Sequence, residues 1–119
     1  MKTENKIQVL TFEFALQVID LYKSLVKQNE FVLSKQLLRS ATSIGANVEE
    51  ATAAQTKKDF ITKMAVASKE ARETKYWLRL LDKSQIAKLD YTDLLNKIEH
   101  IINILTKIVK TSQESLLAK

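Results

Sequence analysis

Four stretches of this chain carry apolar residues at alternating steps of four and three, and that spacing leaves few folds open. In the second stretch the series is Leu37, Ala41, Ile44, Val48 and Ala51. In the third it is Phe60, Met64, Ala67, Ala71, Thr74, Leu78 and Leu81. The fourth carries Leu94, Ile98, Ile101, Leu105 and Ile108. The first is looser, with Leu10, Phe14, Val18, Leu21 and Leu25. Steps of four and three average about 3.5 residues, so each stretch reads as a helix that turns one seam toward partner helices. Four seams in one short chain specify an all-α, antiparallel, up-down-up-down four-helix bundle.

The punctuation between the seams agrees. With 119 residues, no Pro and one Gly, the chain is one domain (1–119), and nothing in it interrupts long helices. The expected helices run over about 3–27, 30–54, 57–83 and 91–111. Asn29 is a cap for the second helix, Thr56 with Asp59 opens the third, and Asp90 or Thr92 caps the fourth. Ser84 to Leu89 is the least periodic stretch, and Ser112 to Lys119 is expected to fray. The link between the second and third helices is the tightest, and those two helices could be nearly continuous. Cysteine is absent, which removes disulfides, thiolate metal sites and cysteine nucleophiles. No apolar run reaches the length of a membrane span, and Lys2, Glu4 and Lys6 make the start unlike a secretory signal. The expectation is a soluble cytoplasmic protein with no membrane contact.

Ser40, Ala41, Thr42, Ser43, Gly45 and Ala46 give the second helix a run of small side chains. Gly in a helix interior is about 1 kcal/mol worse than Ala, so a close approach of another backbone is the expected reason for Gly45. Ser40 and Asn47 share one edge of this helix. They read as polar contacts within or between subunits rather than as a ligand site.

The net charge of +5 is uneven: residues 57–83 hold eight basic and four acidic residues. On a helical wheel with Ala67 at zero, Lys57, Lys58, Arg72, Lys75, Arg79 and Lys83 fall between roughly 80° and 180°, with Tyr76 at the far edge. This basic stripe is a candidate surface for phosphates, with Tyr76 available for stacking. Val66, Trp77 and Leu80 flank the seam on the other side. Apolar residues there predict burial against a second subunit, so Val66, Trp77, Leu80, Ser40 and Asn47 are the candidate oligomer interface. Leu95, Ile102 and Val109 flank the fourth seam in the same way, and read equally well as a broad intrachain core.

Catalytic chemistry is sparse. Di-iron bundles use two Glu-x-x-His motifs, but the one histidine here is His100, and Lys97 stands three residues before it. His100 lies well off the seam and reads as a surface residue. Neither a Ser-His-Asp set nor a Gly-rich phosphate loop can be assembled. The expectation is a protein that is not an enzyme and that holds no metal or cofactor.

Residues 36–50 (QLLRSATSIGANVEE) and 60–81 (FITKMAVASKEARETKYWLRLL) resemble the four-helix bundle family first met as proteins encoded in intervening sequences of bacterial ribosomal RNA genes. Gln36, Leu37, Arg39, Ala41, Ser43, Ile44, Ala46, Asn47 and Glu50 match its second-helix run, and Ala51 stands where the family usually has Gly. Phe60, Ile61, Ala67, Ser68, Glu73 and Leu78 fit its next block, and Phe14, Ala15, Val18 and Tyr22 fit its first helix. The resemblance covers about residues 12–110. It implies a barrel-like homopentamer. A related branch, the accessory protein of diversity-generating retroelements, works with a reverse transcriptase and binds nucleic acid through a basic surface. Two function classes follow. One is a non-catalytic oligomer that binds structured RNA or an RNA–protein complex. The other is a structural or protein–protein interaction module with no nucleic-acid role.

Overall fold

The computed structural model describes residues 3–118; Met1, Lys2 and Lys119 lie outside the described residues. Among the described residues the regular structure is four helices: α1 (Thr3–Lys27), α2 (Leu33–Thr52), α3 (Lys57–Ser84) and α4 (Thr92–Leu117). Each packs against its neighbours in the chain, and α1 closes the ring against α4, where the contact is sparsest. The result is an up-down-up-down bundle measuring 52 × 25 × 22 Å. No described helix is long and apolar enough to cross a membrane.

All five seam residues of α2 are buried. So are Met64, Ala67, Ala71, Thr74, Leu78 and Leu81 of α3, and Leu94, Ile98, Ile101 and Leu105 of α4. Phe60 and Ile108, the end members of those two series, are half-buried. The α1 seam differs by a shift. Ile7, Thr11, Phe14, Val18 and Leu25 form the buried line, whereas Leu10 and Leu21 are half-buried. Thr11 enters the core because its hydroxyl donates to the Ile7 carbonyl (2.7 Å), which satisfies the polar group inside its own helix. On α4, Ile102 is buried while Leu95 and Val109 pack half-buried against the same core, so the broad apolar arc of α4 is intrachain.

The connections correct several expectations. Asn29 does not cap α2. It ends α1 in the left-handed region (φ 63°), with the Asn29 N–H on the Val26 carbonyl (2.9 Å) and the Glu30 N–H on the Leu25 carbonyl (2.9 Å). Glu30, buried, then caps α2. Its carboxylate accepts from the backbone N–H groups of Val32 (3.1 Å), Leu33 (3.0 Å) and Ser34 (2.6 Å). Helix α2 therefore starts at Leu33 rather than near 30, since Asn29 to Val32 are taken up by closing one helix and capping the next. It stops at Thr52, and residues 53–56 form a true turn, so α2 and α3 are not continuous. Thr56 caps α3 as expected, accepting from the Asp59 N–H (3.0 Å). Gln85, at φ 48°, ends α3. Asp90 accepts from the Thr92 N–H (2.9 Å) at the start of α4, a bond that holds the Asp90 carboxyl below its ordinary range. The C-terminal stretch does not fray at Ser112. Helix α4 continues to Leu117, with half-buried Ser112 and Ser115 turned toward the bundle and Ser115 accepting from the Lys57 ammonium (2.5 Å).

Gly45 faces Thr11 of α1. An added Cβ would lie 3.5 Å from the Thr11 hydroxyl oxygen and 3.6 Å from its carbonyl oxygen, ordinary van der Waals distances. The two helices are close there, but the approach does not require glycine.

Candidate nucleic-acid interface

Helix α3 owes its outer face to its register. Once Ala67, Ala71, Thr74 and Leu78 are fixed in the core, the opposite positions must point outward. These are Lys58, Thr62, Ala65, Lys69, Arg72, Tyr76, Arg79 and Lys83, and all eight are exposed. They also alternate by four and three, and they stay within an arc of about 100° along about 38 Å of helix. The row contains five cations, one aromatic ring and no acid.

The four acids of α3, Asp59, Glu70, Glu73 and Asp82, all lie off this row. Arg39 of α2 forms ion pairs with Glu70 (3.6 Å) and Glu73. Glu73 also accepts from the Trp77 indole N–H (3.1 Å). Glu70 is buried, and its Oε1 has no hydrogen-bond partner, so the Arg39 guanidinium is what offsets its charge. Asp59 lies in the first turn, where a carboxylate favours the helix dipole. None of the five cations of the row has a carboxylate within 4.0 Å among the described residues. Arg72 donates to the Thr106 hydroxyl of α4 (2.9 Å), a neutral partner that leaves its charge uncompensated.

The row and the sequence-derived stripe overlap but are not identical. Lys58, Arg72, Tyr76, Arg79 and Lys83 stand together on the exposed face. Lys75 does not. It is half-buried on the α4 side and pairs with Glu99 (2.6 Å), so its charge is largely spent within the chain. Lys57 is also turned to α4, through Ser115. Both occupy the near edge of the arc, and a wheel drawn on one helix does not show where the neighbouring helix stands. Lys69 was missed because it falls just beyond the other edge. The 4-3 series running back from Lys83 through Arg79, Tyr76 and Arg72 would have found it.

Ser40 and Asn47 make polar contacts inside the chain, as one of the two expected arrangements had it. The Ser40 and Thr74 hydroxyls, both buried, hydrogen-bond to each other across α2 and α3 (2.9 Å). The Asn47 amide donates to the Ser43 carbonyl (2.8 Å). Val66, Trp77 and Leu80 are half-buried, and Trp77 packs against the chain's own core with Tyr76 edge-on to it at 5.2 Å. These five residues are therefore not a bare apolar patch. Among the described residues, exposed apolar side chains line up instead on α1, at Val9, Phe12 and Leu16, each about half exposed or more.

A solved structure from Bacteroides thetaiotaomicron, described as a protein of unknown function from the S23 ribosomal protein family, has the same architecture. It is 46% identical, with a TM-score of 0.86, and the match covers 92% of this chain and 99% of that one. No curated protein matches the chain. The family model for the 23S rRNA-intervening sequence protein matches residues 3–107, that is, nearly the whole bundle. The chain belongs to the 23S rRNA-intervening sequence protein family.

Proposed function

We propose that this protein is a non-catalytic oligomer that binds structured RNA, alone or in an RNA–protein complex such as one with a reverse transcriptase, through the exposed face of α3. The observation that carries the reading is the acid-free row Lys58, Lys69, Arg72, Tyr76, Arg79 and Lys83. From Lys69 to Lys83 the cations stand one or two helical turns apart, a spacing that can follow phosphates along a strand, and one exposed ring can stack on an unpaired base. Phosphate contacts position without specifying sequence, so the expected RNA preference is for structure rather than for a base order. A cytoplasmic location goes with this reading, as does a homo-oligomer, pentameric by family resemblance. Phe12 and Leu16 on α1 supply exposed apolar area for the assembly.

The test is RNA affinity as a function of salt. Five phosphate contacts give a log–log slope of about −3.5 to −4.5, so affinity falls roughly 100- to 500-fold between 50 and 200 mM salt. Replacing Arg72 and Arg79 by Glu should abolish binding while leaving helicity and sedimentation unchanged. Absence of wild-type binding at about 50 mM salt, where the attraction is strongest, refutes the RNA reading and leaves the protein–protein module.

A further inference from the structure

At the end of the bundle where α1 begins and α4 ends, the two helices part and leave a groove of about 1150 Å³. Its floor is apolar, with Val9 and Leu10 from α1, Phe60 from α3, and Ile104 and Ile108 from α4. Lys6, Lys57 and Lys107 stand around it against one carboxylate, Glu13. None of the three lysines has a carboxylate within 4.0 Å among the described residues. This surface is separate from the outer row of α3, and it pairs aliphatic area with positive charge where that row carries no large aliphatic side chain.

We infer that the groove docks an acidic amphipathic helix from a partner protein. A trough between two helices takes a third helix by packing ridges into grooves, and among the described residues there is no strand edge for an extended peptide. Along α4 the lining runs from His100 to Ser112, about 18 Å or three turns. That length suits a segment with apolar anchors at i, i+3 or i+4, and i+7. The lysines select acidic side chains at the margins of that segment. RNA fits this site poorly, because phosphates gain nothing over the apolar floor.

The probe is a fluorescein-labelled, N-acetylated 16-residue peptide with Leu at helical spacing and Glu on its other face, and a scrambled peptide of the same composition is the control. Saturable binding is expected with a Kd below about 100 μM, at least tenfold tighter than for the scrambled peptide. Val9→Glu and Lys107→Glu, both at exposed positions, should each weaken it tenfold or more with the melting curve unchanged. Arg79→Glu should weaken RNA binding and leave peptide binding intact, so the two readings fail separately. Equal binding of the scrambled peptide, or no effect of Val9→Glu, overturns the proposal. So does a fall in sedimenting mass for Val9→Glu, which would make the groove a contact between copies of this chain.

Discussion

Gly45→Ala is the substitution whose sign the structure fixes most directly. Gly45 is half-buried in the middle of α2 with ordinary helical backbone. The helix-propensity gain is about 0.8–1.0 kcal/mol. Against it stands whatever the new methyl meets, and its nearest neighbours are three atoms of Thr11, at 3.5, 3.6 and 3.7 Å. At those distances the contact is attractive or neutral, so a net stabilisation of about 1 kcal/mol remains. For 119 residues this corresponds to a rise in Tm of about 4 °C. The assay is urea unfolding followed by circular dichroism at 222 nm, at one fixed protein concentration because association would shift the midpoint. The slope m should be unchanged and the midpoint should rise. Gly45→Val is the counter-experiment. Its two further methyl groups reach into Thr11 space, and its β-branch lowers helix propensity, so it should be less stable than the alanine variant. A destabilised Gly45→Ala variant with unchanged m would refute the reasoning, because it would mean that α1 and α2 approach more closely than the Thr11 geometry allows.

Two further outcomes rest on single residues of the turns. Glu30→Ala strips three backbone N–H groups of their acceptor at a buried position; the expected loss is about 2 kcal/mol, at the upper end for a helix cap, read from the same unfolding curves. Tyr91 is fully buried, and its hydroxyl donates to the Ala87 carbonyl (2.8 Å); burial pushes its phenol up from 10.0, and Glu30 and Asp82 add to the shift. The folded form thus keeps the proton where the unfolded chain has released it. The contribution of Tyr91 is complete below about pH 10 and declines as pH rises through its raised value. Stability measured from about pH 9 to 11.5 should fall more steeply for the wild type than for Tyr91→Phe, and equal slopes would show that the phenol is not shielded.

The seams of α2, α3 and α4 were legible because a chain with no Pro offers nothing to compete with their 4-3 spacing. The buried line of α1 was harder to read, since Thr11 looks polar until its hydroxyl is paired inside the helix. The start of α2 was misread for a related reason. Glu30 is not a residue type that usually caps, yet its longer side chain reaches forward to three N–H groups, and the residue with the better capping chemistry, Asn29, was needed for a left-handed turn. Basic character on α3 was visible in the sequence, but its division was not. Glu99 of α4 draws in Lys75, and Arg39 of α2 draws in Glu70 and Glu73, so the outer face is sorted by two neighbouring helices rather than by α3 itself.

From Lys69 to Lys83 the outer row of α3 steps evenly and carries like charges at four of its five positions, which has a consequence for motion. A polyanion lying along that stretch would meet a similar potential after shifting by one helical turn, about 5.4 Å. Such a track would hold a strand against departure while resisting sideways displacement only weakly, so that a bound chain could creep in register without letting go. Tyr76 is the one uncharged rung between Lys69 and Lys83. A ring exposed among cations makes a single notch near the middle of the track, and a strand that drops an unpaired base into it stops creeping there.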